Sequence, residues 1–211
     1  MSLNDELLEV LKQEGCGVVG FADISVLPEE PRKNLETAVI MATFYAPEAV
    51  RKKMKNVPEV FANETDTEIP RLDRYNKAAF SFLRSKKYKA NVTYSKGEIT
   101  YKMLATLAGI GWVGRCALLV TDKTGPALRF TAVLTNAPFD CGTPITESKC
   151  PSDCSACSDA CPANAVKGGL WERGVHRDTF FDVKACMKHR SKCGGKCISV
   201  CPYTLKGIGC E

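Results

Sequence analysis

The last third of this chain carries two cysteine runs that end in the same way. CPSDCSACSDACP, from Cys150 to Pro162, reads C-x3-C-x2-C-x3-C-P, and the run from Cys186 to Pro202 reads C-x6-C-x3-C-x3-C-P. Eight thiols this close in sequence must be satisfied together, by cross-links or by metal, and that limits the fold more than any other feature. The remaining cysteines are sparse. Nine of the twelve fall between Cys141 and Cys201, and the first 140 residues hold only Cys16 and Cys116. A secreted disulfide scaffold is normally shorter, with cysteines throughout. Zinc favours four ligands in two C-x2-C knuckles, often with histidine. Two C-x3-C-P endings fit a pair of [4Fe–4S] clusters better than either.

Cluster chemistry explains the repeat. Each cluster needs four thiolates, one per iron. Three cysteines on one tight loop reach three irons, and the fourth, followed by proline, turns away to the other cluster. The expected ligand sets are therefore Cys150, Cys154, Cys157 and Cys201 for one cluster, and Cys161, Cys186, Cys193 and Cys197 for the other. Both runs depart from the bacterial ferredoxin pattern, which starts C-x2-C. Cys16 and Cys116 read as small buried hydrophobes. Cys141 and Cys210 have no assigned role, and His176 and His189 read as surface or hydrogen-bonding residues.

The rest of the chain reads as alternating helices and strands. Leu3, Leu7, Leu8, Val10 and Leu11 suggest one apolar helix face, stopped at Gly15. VVGFAD (18–23) and AVIMATFYA (38–46) read as strands, with a loop at Pro28 and Pro31. Pro47 opens a helix carrying Arg51, Lys52, Lys53 and Lys55, a solvated face. Residues 56–69 read as a loop and 70–87 as a longer helix. A strand near 91–95 and a helix over about 98–108 follow. CALLVT (116–121) and ALRFTAVLT (127–135) flank DKTGP and read as a hairpin. An α/β or α+β sandwich is expected over residues 1–140. Asn136 to Lys149 reads as a linker, and 141–211 as the double-cluster module. Charged residues are 25% of the chain and the net charge is +5, too weak to imply nucleic acid. No run of 18 apolar residues occurs, and MSLNDELLEVLKQEG lacks the basic start of a signal peptide. A cytoplasmic protein with no membrane partner is expected.

GIGWVGR (109–115) contains G-x-G-x-x-G, but it follows a helix and precedes a strand, the wrong order for dinucleotide binding. Its glycines, Gly109, Gly111 and Gly114, suit a tight turn or a close approach of backbone to a neighbour or cofactor. LATLAGIGWVGR, then a hairpin, then two C…CP runs, resembles epoxyqueuosine reductase and the related cobalamin-dependent reductive dehalogenases. The resemblance is closest over 98–202.

That resemblance implies a nitroreductase-like α/β sandwich followed by a ferredoxin-like double [4Fe–4S] module. It implies cobalamin over the sheet of the first domain, with a flavin as the alternative, and electrons fed to it by the clusters. Gly109, Gly111, Trp112, Gly114 and Arg115 become the cofactor-binding candidates. A low-potential donor such as ferredoxin or flavodoxin and a small-molecule substrate are the implied partners. The family's catalytic Asp falls on Ser95, whose hydroxyl is too weak an acid to replace it. Tyr94 is the proton donor by analogy with the dehalogenases, and the alternative is an aromatic strand residue in the core. The family's Glu falls on Tyr101. The chain stops soon after the second run, without the helical repeats that help hold tRNA, so tRNA is not the expected partner. A non-catalytic electron carrier is the rival reading.

Overall fold

The computed structural model describes residues 1–54, 60–93 and 99–210. Helix α1 (Leu3–Gln13) begins at a reciprocal cap, in which the Ser2 hydroxyl accepts from Asp5 N–H and the Asp5 carboxylate accepts from Ser2 N–H. Gly15 ends it with φ +78°, a left-handed geometry that glycine adopts without a Cβ clash. Leu7 and Leu11, one turn apart, are buried, whereas Leu8 points to solvent. Strands β1 (Val18–Asp23) and β2 (Thr37–Phe44) pair antiparallel, Val18 opposite Ala42 and Asp23 opposite Thr37. Between them lies a one-turn helix, α2 (Glu29–Arg32), where only a loop is expected from the prolines. Pro31 is tolerated because the first-turn N–H groups of a helix have no intrahelical partner.

Helices α3 (Pro47–Met54) and α4 (Val60–Ser85) follow. Helix α4 starts ten residues before the expected site and carries Pro70 in its interior. Proline there costs one helix hydrogen bond without forbidding the helix. Next come β3 (Ala90–Thr93) and α5 (Tyr101–Leu107), capped by the Thr100 hydroxyl on Met103 N–H. Strand β4 (Trp112–Val113) pairs with β5 (Leu119–Val120), and β6 (Leu128–Thr135) joins β3 and β2 in a sheet of order β1-β2-β6-β3.

The hairpin expected across DKTGP is therefore corrected. The turn itself forms, with Thr121 and Gly125 exchanging backbone hydrogen bonds at 3.1 and 3.0 Å. The strands beside it belong to different sheets, because β5 finds its partner upstream in β4. The C-terminal third adds short helices: α6 (Ala156–Asp159), α7 (Val183–Cys193), α8 (Lys196–Ser199) and α9 (Pro202–Gly207).

Two compact units result, each assembled from separated stretches. One comprises 1–43, 67–110 and 129–145; the other comprises 44–66, 111–128 and 146–211. Compactness thus groups residues 44–66 and 111–128 with the cysteine-rich tail, a grouping that composition along the chain does not reveal. In the first unit, Leu7 and Leu11 of α1 pack with Val39 and Met41 of β2, Tyr75 and Leu83 of α4, and Val133 of β6. Within the same unit, Glu68 is 3% exposed and pairs with Arg129 at 3.3 Å. The Thr131 hydroxyl donates to Asn76 Oδ1 at 2.8 Å.

Candidate iron–sulfur site

The second unit is built around the β4–β5 hairpin. Gly111 is required there: a Cβ would lie 2.2 Å from the carbonyl oxygen of Val120 on the facing strand. Gly114 N–H bonds Leu118 O at 2.9 Å, and Ala117 closes the tip with φ 57°. The tip projects Arg115 and Cys116. Arg115 is 8% exposed. Its guanidinium donates to the carbonyls of Ser152 at 2.8 Å, Pro151 at 3.2 Å, and Gly168. One buried cation thereby fastens the start of the first cysteine run to a loop beyond its end.

Cys150, Cys154, Cys157 and Cys201 line one pocket with Gly114, Arg115 and Val120. The cavity among them is small, about 20 Å³. Cys201 reaches it from the second run. Pro202 occupies the first position of α9, where its missing N–H costs nothing. Helix α9 in turn rests on the DKTG turn, the Thr204 hydroxyl donating to Thr124 O at 3.2 Å. Burial pushes the Cys201 thiol upward; backbone N–H groups of Thr204 and Tyr203 oppose that, and the neighbouring Cys150 and Cys157 thiols add to it.

Cys197 and Cys116 line the same pocket, whereas Cys161, Cys186 and Cys193 lie outside it, the last two on α7. Asp182 caps this helix, its carboxylate accepting from Ala185 N–H at 2.9 Å. Cys186 and Cys193 are seven residues apart on it, hence on one face two turns apart. The second run is thus not the single tight loop that cluster geometry suggests. Gly194 and Gly195, with φ 57° and 73°, break the helix and start α8, which carries Cys197. Cys186 is pushed upward by burial first, then by the nearby Cys193 and Cys161 thiols.

All eight cysteines are half-buried free thiols. Cys161 Sγ accepts from Ala165 N–H and Cys193 Sγ from Gly195 N–H, each at 3.4 Å. Such N–H···S contacts are of the kind that cluster sulfurs accept. Among the described residues, no three His, Cys, Asp or Glu side chains close up around a single ion. A four-iron cluster takes its four thiolates on four separate irons, a wider arrangement than one ion's ligand shell. Eight thiols are the number that a pair of such clusters takes.

Cys116 is buried as expected, and it also lines the thiol pocket beside Cys157 and Cys197. Cys16 sits half-buried and donates to Val18 O at 3.3 Å. Cys141 is exposed, and so are His176 and His189.

The cofactor-binding candidates have protein neighbours. A Cβ on Gly109 would lie 2.5 Å from Thr143 O, and one on Gly114 2.7 Å from the Val120 side chain. Trp112 is fully buried and meets Tyr203 edge-on at 5.2 Å. Arg115 is engaged as described. Each of the five thus has a neighbour within the protein. Tyr94 and Ser95 lie outside the described residues. Tyr101 donates to Thr93 O at 2.7 Å. The first unit also holds a basin of about 340 Å³ lined by Asp73, Asn76, Lys77, Phe80, Ser81 and Val92.

The chain is similar to two groups of reductases. It is 30% identical over 115 residues to the epoxyqueuosine reductase of Bacillus anthracis, matching 50% of this chain and 30% of that one. It is 29% identical over 117 residues to the tetrachloroethene reductive dehalogenase of Sulfurospirillum multivorans, matching 49% of this chain and 23% of that one. The matches thus cover less than a third of either relative. No protein-family model matches the chain.

Solved structures from both groups share its fold. A catabolic reductive dehalogenase in complex with 3-bromo-4-hydroxybenzoic acid superposes with TM-score 0.73 at 20% identity, covering 94% of this chain and 31% of that one. An epoxyqueuosine reductase bound to a tRNA stem loop gives TM-score 0.64 at 19% identity, covering 96% and 65%. No helix among the described residues is long and apolar enough to cross a membrane.

Proposed function

We propose that this chain is an iron–sulfur reductase that takes up electrons singly at two [4Fe–4S] clusters. Cys150, Cys154, Cys157 and Cys201 hold one; Cys161, Cys186, Cys193 and Cys197 hold the other. The observation that carries this reading is the exchange of partners between the runs. Cys201 of the second run lines one pocket with Cys150, Cys154 and Cys157, as does Cys197, and Cys161 of the first run is near enough to Cys186 to add to the upward push on its thiol. A ferredoxin-like pair of clusters calls for that crossing.

When bound, such clusters supply one-electron storage at potentials that reach about −700 mV. The chain's own residues hold the sulfurs half out of water, and N–H groups at Cys161, Cys193 and Cys201 favour the more negative, reduced state. Arg115 places a buried positive charge beside the first run.

The proposed architecture is a nitroreductase-like sandwich in residues 1–140 with the ferredoxin-like module in 141–211. The proposed electron acceptor is a cobalamin, with a flavin as the alternative. Its support is the fold shared with a reductive dehalogenase whose reported mechanism is B12-dependent. The electron donor is a low-potential ferredoxin or flavodoxin, and the substrate a small molecule. Tyr94 is the proposed proton donor, since a phenol stays protonated at neutral pH. If the chain lacks an organic acceptor, it acts as an electron carrier.

Anaerobic absorption titration of the cluster-loaded protein with cobalamin and, separately, with flavin tests the proposal. A saturable shift with cobalamin is expected, together with a loss of turnover of about 100-fold in Tyr94→Phe at unchanged binding. No shift with either cofactor contradicts the enzyme reading and leaves the carrier.

A further inference from the structure

Helix α7 has two sides of different chemistry. At 3.6 residues per turn, Lys184, Met187, Lys188, Ser191 and Lys192 recur at three- and four-residue steps and share one side of it. All five are exposed, Met187 at 58%. Cys186 and Cys193, half-buried ligands of the second proposed cluster, fall on the opposite side. Among the described residues, none of the three lysines is in an ion pair, whereas the exposed cations Lys12, Arg74 and Lys86 are. The surrounding sequence adds to the charge. From Val183 to Cys210 there are six lysines and arginines and no acidic residue. The whole chain carries +5, so this stretch accounts for all of its positive excess.

We infer that the lysine side of α7 is the docking surface for an acidic one-electron carrier protein, which delivers electrons to the cluster held by Cys161, Cys186, Cys193 and Cys197. This rests on the two-cluster reading above. Position is the first reason. A partner lying on the lysine stripe is separated from the Cys186 and Cys193 thiolates by a single helix, about 10–12 Å across. The step moves one electron: the carrier's reduced centre loses it, the cluster gains it, and no bond forms or breaks.

Charge and composition are the second reason. The stripe from Lys184 to Lys192 is about 12 Å long. Three lysines free of ion pairs in that length attract and orient an acidic partner, and such steering raises association rates by orders of magnitude at low salt. Between them stands Met187, a flexible apolar side chain of a kind enriched at interfaces and able to repack against a partner. A patch this short suits an electron-transfer encounter, which buries less than about 1,200 Å² in total. Nucleic acid calls for a different surface. Single strands stack their bases on aromatic side chains, and duplexes span longer basic tracks. The stripe offers neither.

The test is anaerobic stopped-flow reduction of the cluster-loaded chain by reduced flavodoxin, an acidic flavin carrier. It compares the wild type with the triple variant Lys184→Gln, Lys188→Gln and Lys192→Gln, each assayed for iron and sulfide. A reduced viologen, a small reductant without a protein surface, is the control. The variant should keep the wild-type iron content and take electrons from the viologen at the wild-type rate. From flavodoxin it should take them about tenfold or more slowly at low salt. At about 1 M salt, where the Debye length is about 3 Å, the two proteins should converge. An unchanged flavodoxin rate would overturn the inference; if affinity for a tRNA stem loop fell at the same time, the stripe would be a nucleic-acid face. Equal slowing with both reductants would place the effect on the cluster rather than on docking, and would overturn it as well. So would a wild type that the viologen reduces and flavodoxin does not. Should the variant lose its clusters, carbodiimide cross-linking of flavodoxin to the wild type decides. Cross-links at Lys184, Lys188 or Lys192 support the docking surface, and cross-links confined to other lysines, or none, oppose it. Wild-type protein without iron or sulfide would instead defeat the two-cluster reading itself, so the two failures are separable.

Discussion

Between Cys150 and Cys161 the backbone is almost all turn, with only the four-residue α6 as regular structure. From Cys186 to Cys201 it is mostly helix, α7 and α8 joined at Gly194 and Gly195. The first run has turn bonds of its own, Cys154 N–H to Pro151 O and the Ser155 hydroxyl to the Asp159 carboxylate among them, and is also held from outside, by the Arg115 guanidinium on Pro151, Ser152 and Gly168. The second run is shaped from within, by the Asp182 cap and two left-handed glycines. The same number of thiols can thus be positioned with the help of one distant cation or by local backbone signals alone. The two designs should fail separately.

The largest expected effect is at Arg115. Arg115→Met removes three charged hydrogen bonds, each contributing about 1.5–3 kcal/mol, and leaves the accepting carbonyls without the guanidinium. Iron content should fall to about half, with the resonance signal of the Cys150–Cys157 cluster lost and the other kept. Equal loss from both clusters would break the comparison. A smaller effect is expected at Gly195, where a side chain must adopt φ 73°. Gly195→Ala costs about 1–2 kcal/mol. It should make the Cys186–Cys197 cluster bleach first on heating, as followed by visible absorption.

Asp182 should give the smallest effect and a pH signature. The Ala185 N–H holds its carboxyl below the usual carboxylate range. A lowered folded-state value means that the cap's contribution is complete above the usual range, near pH 4, and is lost as pH falls through the lowered value. Asp182→Ala should therefore melt below the wild type at pH 7, and the gap should narrow as the medium is acidified below pH 4. A gap independent of pH would show that the carboxylate is not what caps α7.

The sequence alone makes parts of this arrangement legible. Gly15 as a helix stop and the buried run 38–44 are local signals, and the structure agrees with both. The DKTGP turn was also readable, but a turn signal does not say which strands pair, and β5 pairs with β4. Pro70 suggested a helix start because proline is common there, yet α4 runs through it. The roles of Arg115 and Cys116 left no local pattern. Arg115 bonds residues 36, 37 and 53 positions away, and a single cysteine in CALLV reads as one more apolar side chain. Their adjacency at a hairpin tip between two glycine-dependent turns was the available clue.

The central claim is that two four-iron clusters are held by eight cysteines, and iron with acid-labile sulfide in anaerobically purified protein tests it most directly. About eight irons and about eight sulfides per chain are expected, falling to about half in Cys201→Ala with the Cys150–Cys157 cluster as the one altered. Stoichiometric zinc without sulfide would contradict it, and so would damage in Cys201→Ala confined to the Cys186–Cys197 cluster.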